Sequence, residues 1–129
     1  MSTLWLDTET YSEVPIKAGT YKYAENCEVD IIAFAIDDGP VKVIDVANGP
    51  KGDVSMFRDV IDASDVYVAH NAMFDRNALR LGNLKIDSPI QKWRCSMVRA
   101  MAHGLPGGLD ILGGITGVDL DKRKMKEGK

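Results

Sequence analysis

No apolar run in this sequence approaches the roughly 20 residues needed to span a bilayer. The N-terminus also lacks the basic then apolar stretch of a secretory signal, so a cytoplasmic protein with no membrane partner is expected. Cysteine is scarce: Cys27 and Cys95 stand far apart and form no Cys-x-x-Cys pair, which speaks against a disulfide framework or a zinc site and for two reduced, partly buried thiols. A Gly-rich phosphate loop, a Ser/His/Asp set and a setting for a cysteine nucleophile are all missing, which disfavours nucleoside triphosphate hydrolysis and acyl transfer. Positive charge is short as well. With 16 Lys and Arg against 19 Asp and Glu the formal net charge is −3, which argues against coating nucleic acid by bulk electrostatics. Local grip on phosphates through metal ions stays open.

What remains is an ordinary globular composition, 45% hydrophobic and 27% charged, without internal repeats or low-complexity tracts. At 129 residues it reads as one domain, residues 1–129, able to bury about two-thirds of its unfolded surface.

The stretch that carries chemistry is Leu4 to Tyr11, Leu-Trp-Leu-Asp-Thr-Glu-Thr-Tyr. An apolar run enters it and two acids close it, as in a buried strand that delivers charge at its end. Successive strand side chains point to opposite faces, so Asp7 and Glu9 share one face with Cα atoms ~6.5 to 7 Å apart. Two carboxylates that close repel unless a cation sits between them or one takes a proton. Oxygen-only donors select hard ions, Mg²⁺ or Mn²⁺, over zinc. Taken alone, Asp-x-Glu is as readily two exposed acids at a strand end, and the metal reading needs a partner elsewhere.

The rest of the chain alternates strand and helix signals. Residues 12–27, broken by Pro15 and Gly19, read as a loop with one helical turn at Ile16 to Ala18. Val29 to Asp37, the turn Asp38-Gly39 and Val41 to Val46 read as an antiparallel hairpin. Asp53 reads as the N-cap of a helix to about Ala63, with Val54, Phe57, Val60 and Ile61 on one stripe. Val66 to Ala69 is a short buried strand, set parallel to the first by the crossover. Asn71 then reads as the cap of a helix carrying Phe74, Ala78 and Leu81, stopped by Gly82. Ile90 to Arg94 reads as an edge strand, Ser96 opens a helix closed by Gly104, and a short helix with Leu109, Leu112 and Ile115 inward ends at Gly117. A polar, mostly basic stretch, Asp119 to Lys129, follows. The expected fold is α/β with a mixed five-stranded sheet flanked by helices.

His70-Asn71-Ala72-Met73-Phe74-Asp75 supplies the missing partner. If the strand before it runs parallel to the first, both end at the same sheet edge, where ligands of open α/β sheets bind. Asp75, in the first turn of its helix, would then face one cleft with Asp7 and Glu9.

These two stretches resemble the first motif (Asp7-Thr8-Glu9) and the second (Asn71, three residues, Asp75) of the DEDD superfamily of 3′→5′ exonucleases, which have a ribonuclease H-like fold. Further stretches, Leu6 to Ser12, Tyr21 to Glu25, His70 to Ala72, Trp93 to Met97 and Lys124 to Lys129, resemble the N-terminal proofreading domain of phage-type family-A DNA polymerases. The resemblance implies that Asp7 bridges two Mg²⁺ or Mn²⁺ ions, that Glu9 holds the first and that Asp75 supports the second through water. It implies substrate contacts from Thr8, Thr10, His70, Asn71 and Phe74, single-stranded DNA 3′ ends as the substrate, and a bacterial or phage-infected cell as the setting. On the residues alone, Phe74 reads better as part of its helix's core stripe, and a histidine at a strand end, like His70, is more often satisfied by backbone.

The sequence departs from the superfamily in its third motif, a Tyr or His followed four residues later by Asp. His103 is followed by Gly107 and Tyr67 by Asn71, while Asp110, Asp119 and Asp121 are preceded at that distance by Pro106, Ile115 and Gly117. The expectation is a domain broken off before that motif and its C-terminal helix, weak or inactive by itself. An apolar strip of sheet left uncovered would attract a second copy, and a polymerase domain or second subunit would complete the site. Two other functions fit the same residues: a non-catalytic module that binds nucleic acid or a polymerase, and an exonuclease acting on RNA 3′ ends.

Overall fold

The computed structural model describes residues 1–108 and Ile111, and the expected helix around Leu112 and Ile115, its Gly117 cap and the basic stretch to Lys129 lie outside them. Five strands form one mixed sheet in the order β3-β2-β1-β4-β5, with β1 at Thr3–Ser12, β2 at Cys27–Ile36, β3 at Lys42–Asp45, β4 at Val66–Ala69 and β5 at Trp93–Cys95. β1, β2 and β3 are antiparallel neighbours, whereas β4 and β5 run parallel to β1. This is the expected α/β arrangement, a mixed five-stranded sheet flanked by helices. The helices are α1 (Thr20–Glu25), α2 (Lys51–Ala63), α3 (Ala72–Leu81) and α4 (Ser96–Ala102). None of the described helices is long and apolar enough to cross a membrane.

The core forms against one face of the sheet. Leu4 and Leu6 of β1, Ile32 and Phe34 of β2, Ile44 of β3 and Tyr67 and Ala69 of β4 are all buried. α2 lays Phe57 and Ile61 on them, with the Phe34 and Phe57 rings 5.3 Å apart and the Tyr67 hydroxyl donating to the Ile61 carbonyl. α3 adds Ala78 and Leu79. Fully burying an aromatic or aliphatic side chain contributes roughly 1.5–3 kcal/mol, so this single face supplies most of the folding free energy.

β2 needs one irregularity to do this. Its buried residues are Cys27 and Val29, then Ile32 and Phe34, so the parity changes midway. The pairing follows suit: Glu9 lies opposite Ile31 and Thr10 opposite Val29, which leaves Asp30 as the extra residue of a bulge. The bulge returns Val29 and Cys27 to the core face.

The other face carries Val43, Ile31, Ala33, Ala35, Trp5 and Val68, none of them buried. Antiparallel strands such as β1 to β3 can leave one face to solvent, and on this face the strip is apolar.

Four local expectations are corrected. α2 starts at Lys51 behind the extended Pro50, so Asp53 is not the cap but lies in the first turn, where the helix dipole favours an acid. Asn71 occupies the capping position of α3 in a left-handed conformation (φ 68°, ψ 58°) and makes no side-chain cap bond. Ile90–Lys92 is a turn of 3₁₀ helix behind Pro89, and only Trp93–Cys95 pairs as the edge strand. α1 was expected as loop. Thr20, Tyr21 and Tyr23 are weak helix formers and six residues are too few for a helical period to show, so burial of Tyr23 and Ala24 is what holds this turn.

Candidate functional site

β1 is longer than the strand beside it. Its pairing with β4 ends at Trp5, while β1 runs on to Ser12 with only β2 alongside. Past the end of β4 a notch therefore opens beside β1, at the C-terminal strand ends where ligands of open α/β sheets bind.

Asp7 and Glu9 lie along this overhang, both exposed and on the face opposite the core, opposite Ala33 and Ile31 of β2. Thr8 between them points the other way and is buried. Its hydroxyl donates to Asp75 Oδ1 at 2.5 Å, and Asp75 is itself only 3% exposed. Burial pushes the Asp75 carboxyl up to about 7; hydrogen bonds from the Thr8 side chain and backbone oppose the rise, and the charges of Asp7 and Glu9 add to it. The structure thus brings Asp7 and Glu9 together and sets Asp75 on the covered side of the same strand. Among the described residues no three His, Cys, Asp or Glu side chains converge on a point where they could share an ion.

The donor chemistry fits one hard divalent ion at the Asp7–Glu9 pair, two oxygen ligands on one exposed face with space for water and phosphate. Asp75, buried on the covered side of β1 with its Oδ1 accepting from Thr8, does not share that exposed face.

The remaining expected contact residues fall into two groups. Asn71 is exposed at the notch, where β4 turns into α3. Such a left-handed backbone is rare outside glycine, and asparagine is among the residues that tolerate it. Thr10, Phe74 and His70 are engaged within the protein. Thr10 shares a 3.0 Å hydrogen bond with the Tyr23 hydroxyl, and the Tyr23 ring lies 5.7 Å from that of Phe74, which packs against the core. His70 Nε2 donates to the Gly107 carbonyl at 2.6 Å. In the neutral ring Nδ1 is then left to accept from the Ser96 hydroxyl, 2.9 Å away.

Two features here went unread in the sequence. The Cys95 sulfur accepts from the backbone N–H groups of Ala72 and Val98, at 3.2 and 3.5 Å, joining the starts of α3 and α4. Burial by itself would push this thiol up, but the N–H groups of Val98, Ala72, Asn71 and Met97 outweigh it and bring it below the ordinary value. The second is Tyr11, 58% exposed on the same strand face as Asp7 and Glu9. Strand parity alone, odd residues out and even residues in, would have found it. Two surface depressions, one lined by Phe34, Gly39 and Pro40 and one by Ser2, Met56 and Ala63, include neither acid.

No family model matches the sequence. The chain is 38% identical over 132 residues to a DNA polymerase of Bacillus phage SP02, a match that takes in all of this chain and 20% of that protein. It therefore spans a fifth of the length of the curated relative it matches, and along its whole length it is similar to part of a DNA polymerase. Among solved structures it aligns with the family B DNA polymerase from the hyperthermophilic archaeon Pyrobaculum calidifontis, at a TM-score of 0.45 and 22% identity over 87% of this chain and 12% of that one.

Proposed function

We propose that this chain is a 3′→5′ exonuclease (proofreading) part of a DNA polymerase, acting on single-stranded DNA 3′ ends with Mg²⁺ or Mn²⁺. The observation that carries the reading is the pair of exposed carboxylates, Asp7 and Glu9, on the overhang of β1 at the C-terminal sheet edge. Likeness to part of a phage DNA polymerase supports it. Asp7 and Glu9 would hold the ion, which supplies charge to polarise a phosphodiester and lower the pKa of an attacking water. The rigid strand fixes the two carboxylates, and Asn71, exposed at the start of α3, would hydrogen-bond the terminal nucleotide. In the observed arrangement Asp75 keeps Thr8 fixed and so the turn of β1 between the acids. With Asp7 and Glu9 the only acids facing the notch among the described residues, the expected rate is low, since each ~1.4 kcal/mol of lost transition-state stabilisation is tenfold. A polymerase domain or second subunit would supply further ligands.

The test is Mn²⁺-dependent shortening of a single-stranded DNA oligonucleotide from its 3′ end by the wild-type chain and by Asp7→Ala. Shortening that disappears in the variant is expected, and shortening that persists would trace the activity to a contaminant. One observation favours a second reading: with Asp75 turned inward and no third acid in reach among the described residues, the same surface suits a non-catalytic module that binds strand ends. Metal-dependent binding without shortening would establish it.

A further inference from the structure

We propose that Tyr11 is a stacking platform for a base of the bound strand, placed one side-chain repeat beyond the acid pair. The inference rests on the nucleic-acid reading above and goes beyond it by assigning a residue that grips the base rather than the phosphate.

Three observations place the ring. Tyr11 follows Glu9 at i+2 on β1, and the bulge at this level adds its extra residue to β2, so β1 keeps its alternation and Tyr11 stays on the acid-bearing face. Its Cα stands ~6.5 to 7 Å from that of Glu9, close to one nucleotide step of an extended strand, so a phosphate at the acids puts a neighbouring base within reach of the ring. Tyr11 also lies on the part of β1 that β4 does not flank, so the notch is open beside it. A tyrosine 58% exposed at this rim keeps an apolar ring in water. Its partner Glu28 on β2 is exposed too and offers no apolar cover. Trp5, 48% exposed on the same face, differs: it is flanked by Ala35 and Val68, both half-buried, and belongs to the apolar strip rather than to the notch.

Base stacking on an aromatic side chain tolerates any sequence, which suits an activity that must accept whatever nucleotide stands at the end. The acids repel phosphate, so the stacking is divalent-dependent: the ion must bring the strand to β1 before the base can reach the ring.

The test measures the affinity of the full chain for a fluorescently labelled single-stranded DNA oligonucleotide in Ca²⁺, with the intact strand and with strands abasic at each of the last three positions in turn. Tyr11→Ala is expected to weaken intact-strand binding about 10- to 100-fold, and Tyr11→Phe to restore most of it. For one abasic position the wild type is expected to lose that same factor while Tyr11→Ala loses nothing further, the signature of a direct ring–base pair. If the wild type binds and Tyr11→Ala binds equally well, the platform is overturned and the functional reading stands. If Tyr11→Ala is weakened equally on every strand, the ring acts through the fold and the platform is overturned as well. If the wild type does not bind in any divalent ion, the nucleic-acid reading itself falls and takes this inference with it.

Discussion

Asp75 shows how one residue can tie the surface of a strand to its underside. Its carboxyl is buried on Thr8, whose neighbours on the other face are Asp7 and Glu9, and it keeps its proton up to about pH 7 against an ordinary value of 3.8. An unfolded chain loses that proton near pH 4. Between the two values the folded state binds more protons than the unfolded one, so stability falls as pH rises from about 4 to 7 and stays lower above. At about 1.4 kcal/mol per pH unit the full window is worth about 4 kcal/mol. Asp75→Asn keeps an acceptor for Thr8 and has no proton to lose. Thermal melts at pH 4, 6 and 8 are therefore expected to show it flattening the decline, level with wild type at pH 4 and more stable at pH 8; parallel slopes in the two proteins would refute this. The two thiols make a second test at this scale. Cys27 is buried, and that burial pushes its thiol up, whereas backbone N–H groups bring Cys95 down. Limited iodoacetamide treatment followed by peptide mass mapping is expected to label Cys95 first, and equal labelling would show that the N–H cluster does not hold the sulfur.

At the scale of elements, β1 and β2 do most of the positioning. Deleting Asp30 removes the bulge and forces either Cys27 and Val29 or Ile32 and Phe34 onto the wrong face. With two apolar side chains leaving the core, a loss of roughly 3 kcal/mol or more is expected, read as a fall in the urea midpoint. An unchanged midpoint would mean that the pairing slips without cost. Alternation along β1, the Asp-Gly turn and the helix stripe with Phe57 and Ile61 were enough to place β1, the hairpin and the body of α2 from sequence, whereas the edge strand β5 begins three residues later than its residues suggested. α1 and the bulge were not legible, for one reason: each exists because of what lies opposite it, Tyr23 against Phe74 and Val29 against Thr10, and no local period records a tertiary partner. The site was half legible. Asp7 and Glu9 follow from period two, whereas the inward turn of Asp75 depends on which side of β1 the helix α3 covers.

For the whole molecule, the decisive asymmetry is between the two faces of the sheet. The core lies on one, and Trp5 sits on the other at 48% exposure while Trp93 is buried, its indole N–H donating to Ser88. Acrylamide is expected to quench the two tryptophans unequally, with nearly all the accessible emission lost in Trp5→Phe and retained in Trp93→Phe. Equal protection of both would mean that the strip is covered in solution.

The hydrogen bond from His70 to the Gly107 carbonyl looks like a minor tie, yet it fixes an address. It moors the chain, some thirty-seven positions downstream, to the tip of β4. Gly107 therefore lies at the sheet edge where β4 ends, not at the far end of the sheet. One imidazole thus acts as a signpost that ties the loop after α4 to the end of the strand beside the acids.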